Sequence, residues 1–327
     1  MKRLLAAGAA VLFAVVASSP AEAAPAAEWP SKPVRIVVAY AAGGANDLLA
    51  RVFAEQLSQA FGQQFFVENR TGGGGLVGDE AVARSEPDGY TLMASGLPSH
   101  VLAPAMNPKN ASFDPVHDFT HIAYLGGPPN VFVVHSSSPV KSFHNLLDLM
   151  RSRPGGVEYV SSSIGSVGNM VAEYVAAKEK LKLVHVVYRG GGAAILDLVA
   201  GHVQVGSMTL ATTLPHIRAG GLRPLAVSSA ERVPELPGVP TLVELGYPEL
   251  VVTTWYALSG PAGLPTDIVD RLNREVNKAM EVPKVREHLA QETVQTKPMT
   301  PDEMTRFMKS EVDKWVPVVK AMNLAPL

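Results

Sequence analysis

The first residues that could do chemistry as a group lie where an apolar run empties into small residues. Ile36-Val37-Val38-Ala39-Tyr40-Ala41-Ala42-Gly43-Gly44-Ala45-Asn46-Asp47 reads as a buried strand, a small-residue turn and the head of an amphipathic helix. Glycine lets a ligand approach the backbone closely. The first turn of a helix offers N–H groups without intrahelical partners at the positive end of its dipole. Together these suit a carboxylate or a phosphate. The alternative is an ordinary cap without a ligand, since Asn and Asp cap helices generally. A second stretch repeats the pattern: Tyr159-Val160 ends a strand, Ser161-Ser162-Ser163-Ile164-Gly165-Ser166-Val167-Gly168 follows, and Asn169-Met170 enters a helix. Its hydroxyls and glycines would make a polar cradle; its alternative is a Ser-rich turn. Two such mouths facing across a cleft would hold one anion between them, and the pairing carries more weight than either loop.

Other chemistry is poorly represented. Gly73, Gly75 and Gly78 satisfy GxGxxG, but Glu68-Asn69-Arg70-Thr71 separates them from the preceding strand, and the next strand ends in Ser95-Gly96 rather than an acid for a ribose. No GxSxG elbow occurs, since Gly165-Ser166-Val167-Gly168 has the wrong spacing. His117 and His121 stand four apart without HExxH or an evident third ligand, so surface or satisfied histidines are expected. No catalytic residue, cofactor or metal site is expected.

These loops need elements to position them. Strand-like runs at 34–40, 65–67, 90–94, 131–135, 157–160, 185–188, 203–205 and 225–228 alternate with helical patterns at 47–61, 76–84, 143–152, 169–180 and 193–200. Such alternation predicts an α/β protein with mainly parallel sheets and helices on both faces. After about Gly260 the strand signal ends: Pro265-Thr266-Asp267 opens a helix, Pro283 interrupts the region, and Thr300-Pro301-Asp302-Glu303 starts a last helix with a capping box. Phe307, Val312, Trp315, Val316 and Val319 lie mostly on one side of it, so it is expected to strap across a lobe.

The opening residues address the compartment. Met1-Lys2-Arg3, an apolar run at 4–17, a break at Ser18-Ser19-Pro20 and the small-x-small Ala21-Glu22-Ala23 read as a secretory signal, with cleavage expected after Ala23 and the periplasm as the expected compartment. The apolar run falls short of the ~20 residues that span a bilayer. There is no cysteine, hence no disulfide and no lipid-modified N-terminal Cys. With 28 basic and 30 acidic residues and no basic run, nothing draws the chain to nucleic acid or to an anionic membrane.

Nearly the whole chain from about Trp29 onward carries a series of ordered motifs. They are Trp29-Pro30-Ser31-Lys32-Pro33-Val34-Arg35, Gly43-Gly44-Ala45-Asn46-Asp47, Val67-Glu68-Asn69-Arg70-Thr71-Gly72 and Pro87-Asp88-Gly89-Tyr90-Thr91-Leu92. Tyr188-Arg189-Gly190-Gly191, Leu225-Ala226-Val227-Ser228-Ser229, Leu236-Pro237-Gly238-Val239-Pro240-Thr241 and Trp255 with Gly260-Pro261-Ala262-Gly263-Leu264-Pro265 follow. In these the chain resembles the extracytoplasmic binding proteins of tripartite tricarboxylate transporters, the TctC-like or Bug proteins. The resemblance implies a two-lobed, type II-like Venus-flytrap fold, the lobes joined by two crossing segments and the ligand between them. On that pattern 29–128 with 253–327 form one lobe and 129–252 the other, after the signal at 1–23.

The resemblance further implies that a ligand carboxylate is held mainly by backbone groups, often through waters, and that a two-subunit membrane carrier receives the loaded protein. The ligand-binding residues expected here are Tyr40, Ala41, Gly43, Gly44, Asn46 and Asp47 in the first loop, and Ser163, Gly165, Ser166 and Asn169 in the second. Tyr188 joins them. Ser95, His100 and Ser207 lie in expected loops at the pocket's far end, or act as capping or surface residues. Ala42 replaces a frequent Pro, Asn169 a common His and Gln204 a common Asp, and Ser207-Met208-Thr209 replaces a more aromatic or acidic stretch. Losing acids disfavours an amino-acid ligand and favours a plain, aromatic or dicarboxylate one. A receptor-coupled sensor would use the same pocket, and an enzyme on this fold would need a nucleophile–base pair or a metal in the cleft.

Overall fold

The computed structural model describes residues 29–188 and 191–322, so the expected signal lies outside the described residues. In chain order the strands are β1 (Val34–Val38), β2 (Phe65–Asn69), β3 (Thr91–Gly96), β4 (Phe119–Gly126), β5 (Asn130–His135), β6 (Val157–Val160), β7 (Leu183–Val186), β8 (Val205–Thr209), β9 (Leu222–Val227) and β10 (Tyr256–Pro261). They form two five-stranded sheets, β2-β1-β3-β10-β4 and β7-β6-β8-β5-β9. The helices are α1 (Ala45–Phe61), α2 (Leu76–Ala83), α3 (Ala103–Met106), α4 (Phe143–Ser152), α5 (Val167–Glu179), α6 (Gly191–Val199), α7 (Leu210–Arg218), α8 (Thr266–Ala279), α9 (Pro283–Gln291) and α10 (Pro301–Met322).

The two sheets are built alike. In each, an inner strand, β1 or β6, has the next strand on one side and the following parallel one on the other. Parallel neighbours require helical crossovers, which puts helices on both faces. One strand per sheet, β10 or β5, runs against its neighbours. It is the strand that arrives directly from the other sheet, entering at the edge its neighbours run toward. The sheets are therefore mixed, with the direction reversed only where the chain crosses over.

Apolar clusters cover both faces of each sheet. One packs α1 and α8 on the first sheet through Leu49, Phe53, Leu57, Leu272 and Val276, and a smaller one gathers Val37, Leu76, Val82 and Met93 behind it. In the second sheet Val131, Val133 and Val160 meet Ala194, Leu198 and Leu214 of α6 and α7. The remaining cluster joins the lobes: Met304, Met308, Trp315 and Val319 of α10 pack with Leu97, Val101 and Tyr124 from the first lobe and Met170 and Val171 from the second. The strap spans both lobes rather than one, and Met304 and Met308 complete its apolar stripe.

Several elements differ from the sequence expectation. β4 and β10 were hidden, the one by Thr120 and His121, the other by Ser259, Gly260 and Pro261. Helix α7 carries two threonines and Pro215, which weaken its helical signature. Pro283 opens α9 instead of interrupting a helix, a position where the missing N–H costs nothing.

Where α5 crosses β8 the backbones almost touch. A Cβ on Gly168 would sit 2.0 Å from the Ser207 carbonyl oxygen, whereas one on Gly155 would meet nothing within 4 Å. Gly168→Ala is therefore expected to destabilise the protein by about 1–3 kcal/mol in denaturant unfolding, through overpacking against immobile backbone. Gly155→Ala should be within about 0.5 kcal/mol of wild type.

Candidate functional site between two helix mouths

In an open α/β sheet the crevice for a ligand lies at the carboxyl ends of the strands where the winding reverses. The reversals here occur at β1, flanked by β2 and β3, and at β6, flanked by β7 and β8. The loops leaving those two strands enter α1 and α5, and they are the two glycine-containing loops conspicuous in the sequence.

In the first loop, residues 41–45 are exposed while Asn46 and Asp47 are buried. Gly43 has φ +83°, a left-handed value that favours glycine, and Gly44 caps α1 with no side chain in the way. The Asp47 carboxylate reaches back to accept the Gly43 N–H at 2.8 Å. Arg51 donates to both its oxygens, Nε at 3.0 Å and Nη2 at 2.9 Å, and Asn69 Nδ2 adds a bond at 2.9 Å. Burial opposes ionisation of Asp47, but the bonds from Arg51, Gly43 and Asn69 outweigh it and hold the carboxyl below its ordinary range. Asn69 also donates to the Tyr40 carbonyl at 2.9 Å, the Tyr40 hydroxyl to the Gly74 carbonyl at 3.2 Å, and Asn46 to the Ala94 carbonyl at 2.9 Å. The turn is locked from behind, with its outer backbone left open.

The second loop uses the same device. Gly165, at φ +72°, donates its N–H to Asn169 Oδ1 at 3.0 Å, again four residues ahead. Asn169 Nδ2 donates to the Tyr159 hydroxyl at 2.7 Å, which donates to Glu173 at 2.7 Å. Ser166 caps α5 by accepting the Asn169 N–H at 3.2 Å and donates to Ser161 at 3.1 Å. The Ser161 hydroxyl also meets His185 Nε2 at 2.9 Å, and burial lowers the His185 pKa, which favours its neutral form. Ser162, Ser163 and Ser166 remain partly exposed. The first mouth thus presents backbone N–H groups, and the second adds serine hydroxyls.

Comparison with known proteins gives the same family for almost the entire chain. Residues 49–324 match the model of the tripartite tricarboxylate transporter family receptor, TctC. The chain belongs to this family. BugT of Bordetella pertussis is 32% identical over 292 residues, covering 89% of this chain and 90% of BugT. Among solved structures, Rpa4515 of R. palustris with adipate is 32% identical with a TM-score of 0.80, covering 92% of this chain and 100% of that one. MatC of Rhodopseudomonas palustris with bound malate is 29% identical with a TM-score of 0.77, covering 89% and 100%. The protein is a TctC-family periplasmic solute-binding protein with the two-lobed α/β fold of that class.

The other residues singled out in this TctC-family chain are placed differently. Ser95 and Ser207 lie in strands, not loops, and both are fully buried. Ser95 bonds the Ala257 carbonyl at 3.2 Å and Ser259 at 3.1 Å; Ser207 bonds the Asn130 side chain at 2.9 Å. Neither offers surface to a ligand in this conformation. His100 sits in a buried π-helical turn, paired with Asp79 at 3.0 Å. Tyr188 is half-exposed and donates its hydroxyl to Asp197. The glycine run serves packing: a Cβ on Gly75 would lie 2.3 Å from Ser99 Cβ, and one on Gly78 would lie 2.8 Å from the Arg70 carbonyl oxygen. His117 pairs with exposed Asp114, while buried His121 faces Ser259 at 3.4 Å. Arg51, Asn69, Tyr159 and Glu173 hold the loops without having been singled out. Arg51 stood legible at the i+4 position from Asp47, but Asn69 and Tyr159 reach their partners only through the fold.

The shared lock can be tested by exchanging its two forms. Asp47→Asn, which makes the first loop resemble the second, should retain most protection of the Gly43 amide against hydrogen exchange. Asp47→Ala should lose about tenfold, the worth of one hydrogen bond. Because the carboxyl is more acidic folded than unfolded, its contribution is complete above the ordinary carboxylate range and is lost only as pH falls below it.

Proposed function

We propose that this protein is an exported receptor that captures a small carboxylate, di-, tri- or aromatic, between the loops entering α1 and α5 and delivers it to a two-subunit membrane carrier. The single observation behind this is the pair of matched helix mouths, each at a winding reversal, each locked by a left-handed glycine bonded to a side chain four residues on. The lobes that close on the ligand are 29–128 with 253–327 and 129–252. The bound adipate and malate of Rpa4515 and MatC support a carboxylate as the class.

The binding set proposed is the outer backbone of Ala41, Gly43, Gly44 and Asn46, with Ser163, Gly165 and Ser166 opposite. Tyr40, Asp47 and Asn169 hold the loops in shape. The carboxylate at the first mouth, Asp47, is already enclosed by Arg51 and Asn69, which leaves no acid there to receive a ligand ammonium. That favours a plain carboxylate over an amino acid. Export through the segment 1–23 is part of this proposal.

Thermal unfolding of the chain lacking residues 1–23 gives the test. A ligand at 100 times its dissociation constant stabilises the folded state by about 2.7 kcal/mol. Adipate or malate is expected to raise Tm by several degrees, and sugars and amino acids to leave it unchanged. Gly44 has an ordinary φ of −78° and space for a side chain, so Gly44→Val should fold normally and abolish the shift. A shift that survives in Gly44→Val, or one confined to sugars or cations, would refute the proposal.

A further inference from the structure

A cavity of about 320 Å³, sharing no lining residue with the two mouths, opens between the return segment, the loop before α10 and α10 itself. Tyr124, Val252, Trp255, Met299 and Phe307 line it together with Glu311. Phe307 meets Trp255 and Tyr124 edge to face, each at 5.4 Å between centroids. Glu311 is only 9% exposed. Its Oε2 accepts the indole N–H of Trp255 at 2.7 Å and of Trp315 at 3.2 Å, while its Oε1 has no hydrogen-bond partner among the described residues. Burial raises the Glu311 pKa above the usual carboxylate range. Lys314, whose charge favours ionisation of Glu311, has its Nζ engaged by the Val251 carbonyl at 2.7 Å. Lys297 also borders the cavity, but its side chain is exposed and forms no ion pair with Glu311.

A largely buried carboxylate with one oxygen free of hydrogen bonds among the described residues, lining an aromatic-walled hollow, is chemically matched to a cation that carries its own apolar surface. Aromatic rings attract such cations through their quadrupoles, the more so when the cation is desolvated. We propose that this cavity is a second ligand site, specific for a small organic ammonium ion held by Glu311 and the rings of Tyr124, Trp255 and Phe307. Its volume lies at the lower end of the range of small-molecule pockets, about 300–1,000 Å³. The site touches the return segment directly, and Thr253 beside it bridges to Pro129 of the first crossing. Its occupant therefore bears on the hinge between the lobes, a consequence that rests on the proposed function, whereas binding itself does not.

The test uses choline and its uncharged isostere 3,3-dimethylbutan-1-ol, titrated calorimetrically into the carboxylate-free protein. Tryptophan fluorescence supplies a second readout, because two of the chain's three tryptophans bond Glu311. One choline is expected per chain, with the isostere at least tenfold weaker. Glu311→Gln keeps an acceptor for both indoles and should melt near wild type, yet weaken choline at least tenfold. Phe307→Leu, on a half-buried position, should weaken it several-fold and decides the matter if Glu311→Gln does not fold. Choline that fails to bind, binds no better than the isostere, or is indifferent to the substitution that folds would overturn the inference. None of these results bears on the carboxylate reading, since the two sites share no residue.

Discussion

The N–H groups at the start of a helix have no partners inside it, and the design of this protein turns on how two such sets are left open without letting the backbone collapse onto them. At α1 and α5 the preceding glycine is bent into the left-handed region and bonded to a side chain one turn into the helix. The bond fixes the turn from its inner side. What remains outside is a row of donors whose positive potential comes from the backbone and the helix dipole. Arg51 is the guanidinium at the first mouth, and it is committed to Asp47 and Asn69.

In the proposed clamp the two sheets present those mouths to a common space. Each sheet reverses its winding around an inner strand, β1 or β6, so the loop leaving that strand falls at a crevice. The strand that crosses from the other lobe enters antiparallel at the same edge, which joins the lobes beside the crevices. Behind them, Trp255 of the return segment is fastened to α10 through Glu311, and α10 packs on both lobes. Stiff loops on a jointed frame are what a clamp that closes around a ligand needs.

Much of this was legible in the sequence. The alternation of runs gave the α/β class, and the strand–glycine–Asn-Asp stretch gave the first loop by the chemistry of helix starts. What stayed hidden had specific causes. β4 carries His121 and β10 carries Ser259, Gly260 and Pro261, so their burial is not visible as an apolar run. Ser95 and Ser207 looked like loop hydroxyls because neighbouring glycines and polar residues mask strands whose partners lie far along the chain. The GxGxxG run is explained by close contacts with Ala39, Arg70 and Ser99, which only the assembled fold brings near. The side chains of Asp47 and Asn169, expected at the ligand, are bonded to the loops themselves, which sequence spacing did not reveal.

The most direct test of the central claim is a crystal structure of the protein grown with adipate. One adipate carboxylate is expected within hydrogen-bond reach, direct or through one water, of the outer backbone of residues 41–46 and of the 162–166 loop, with the two lobes closed around it. A carboxylate bound elsewhere, or held chiefly by a charged side chain with these loops still open to solvent, would contradict it.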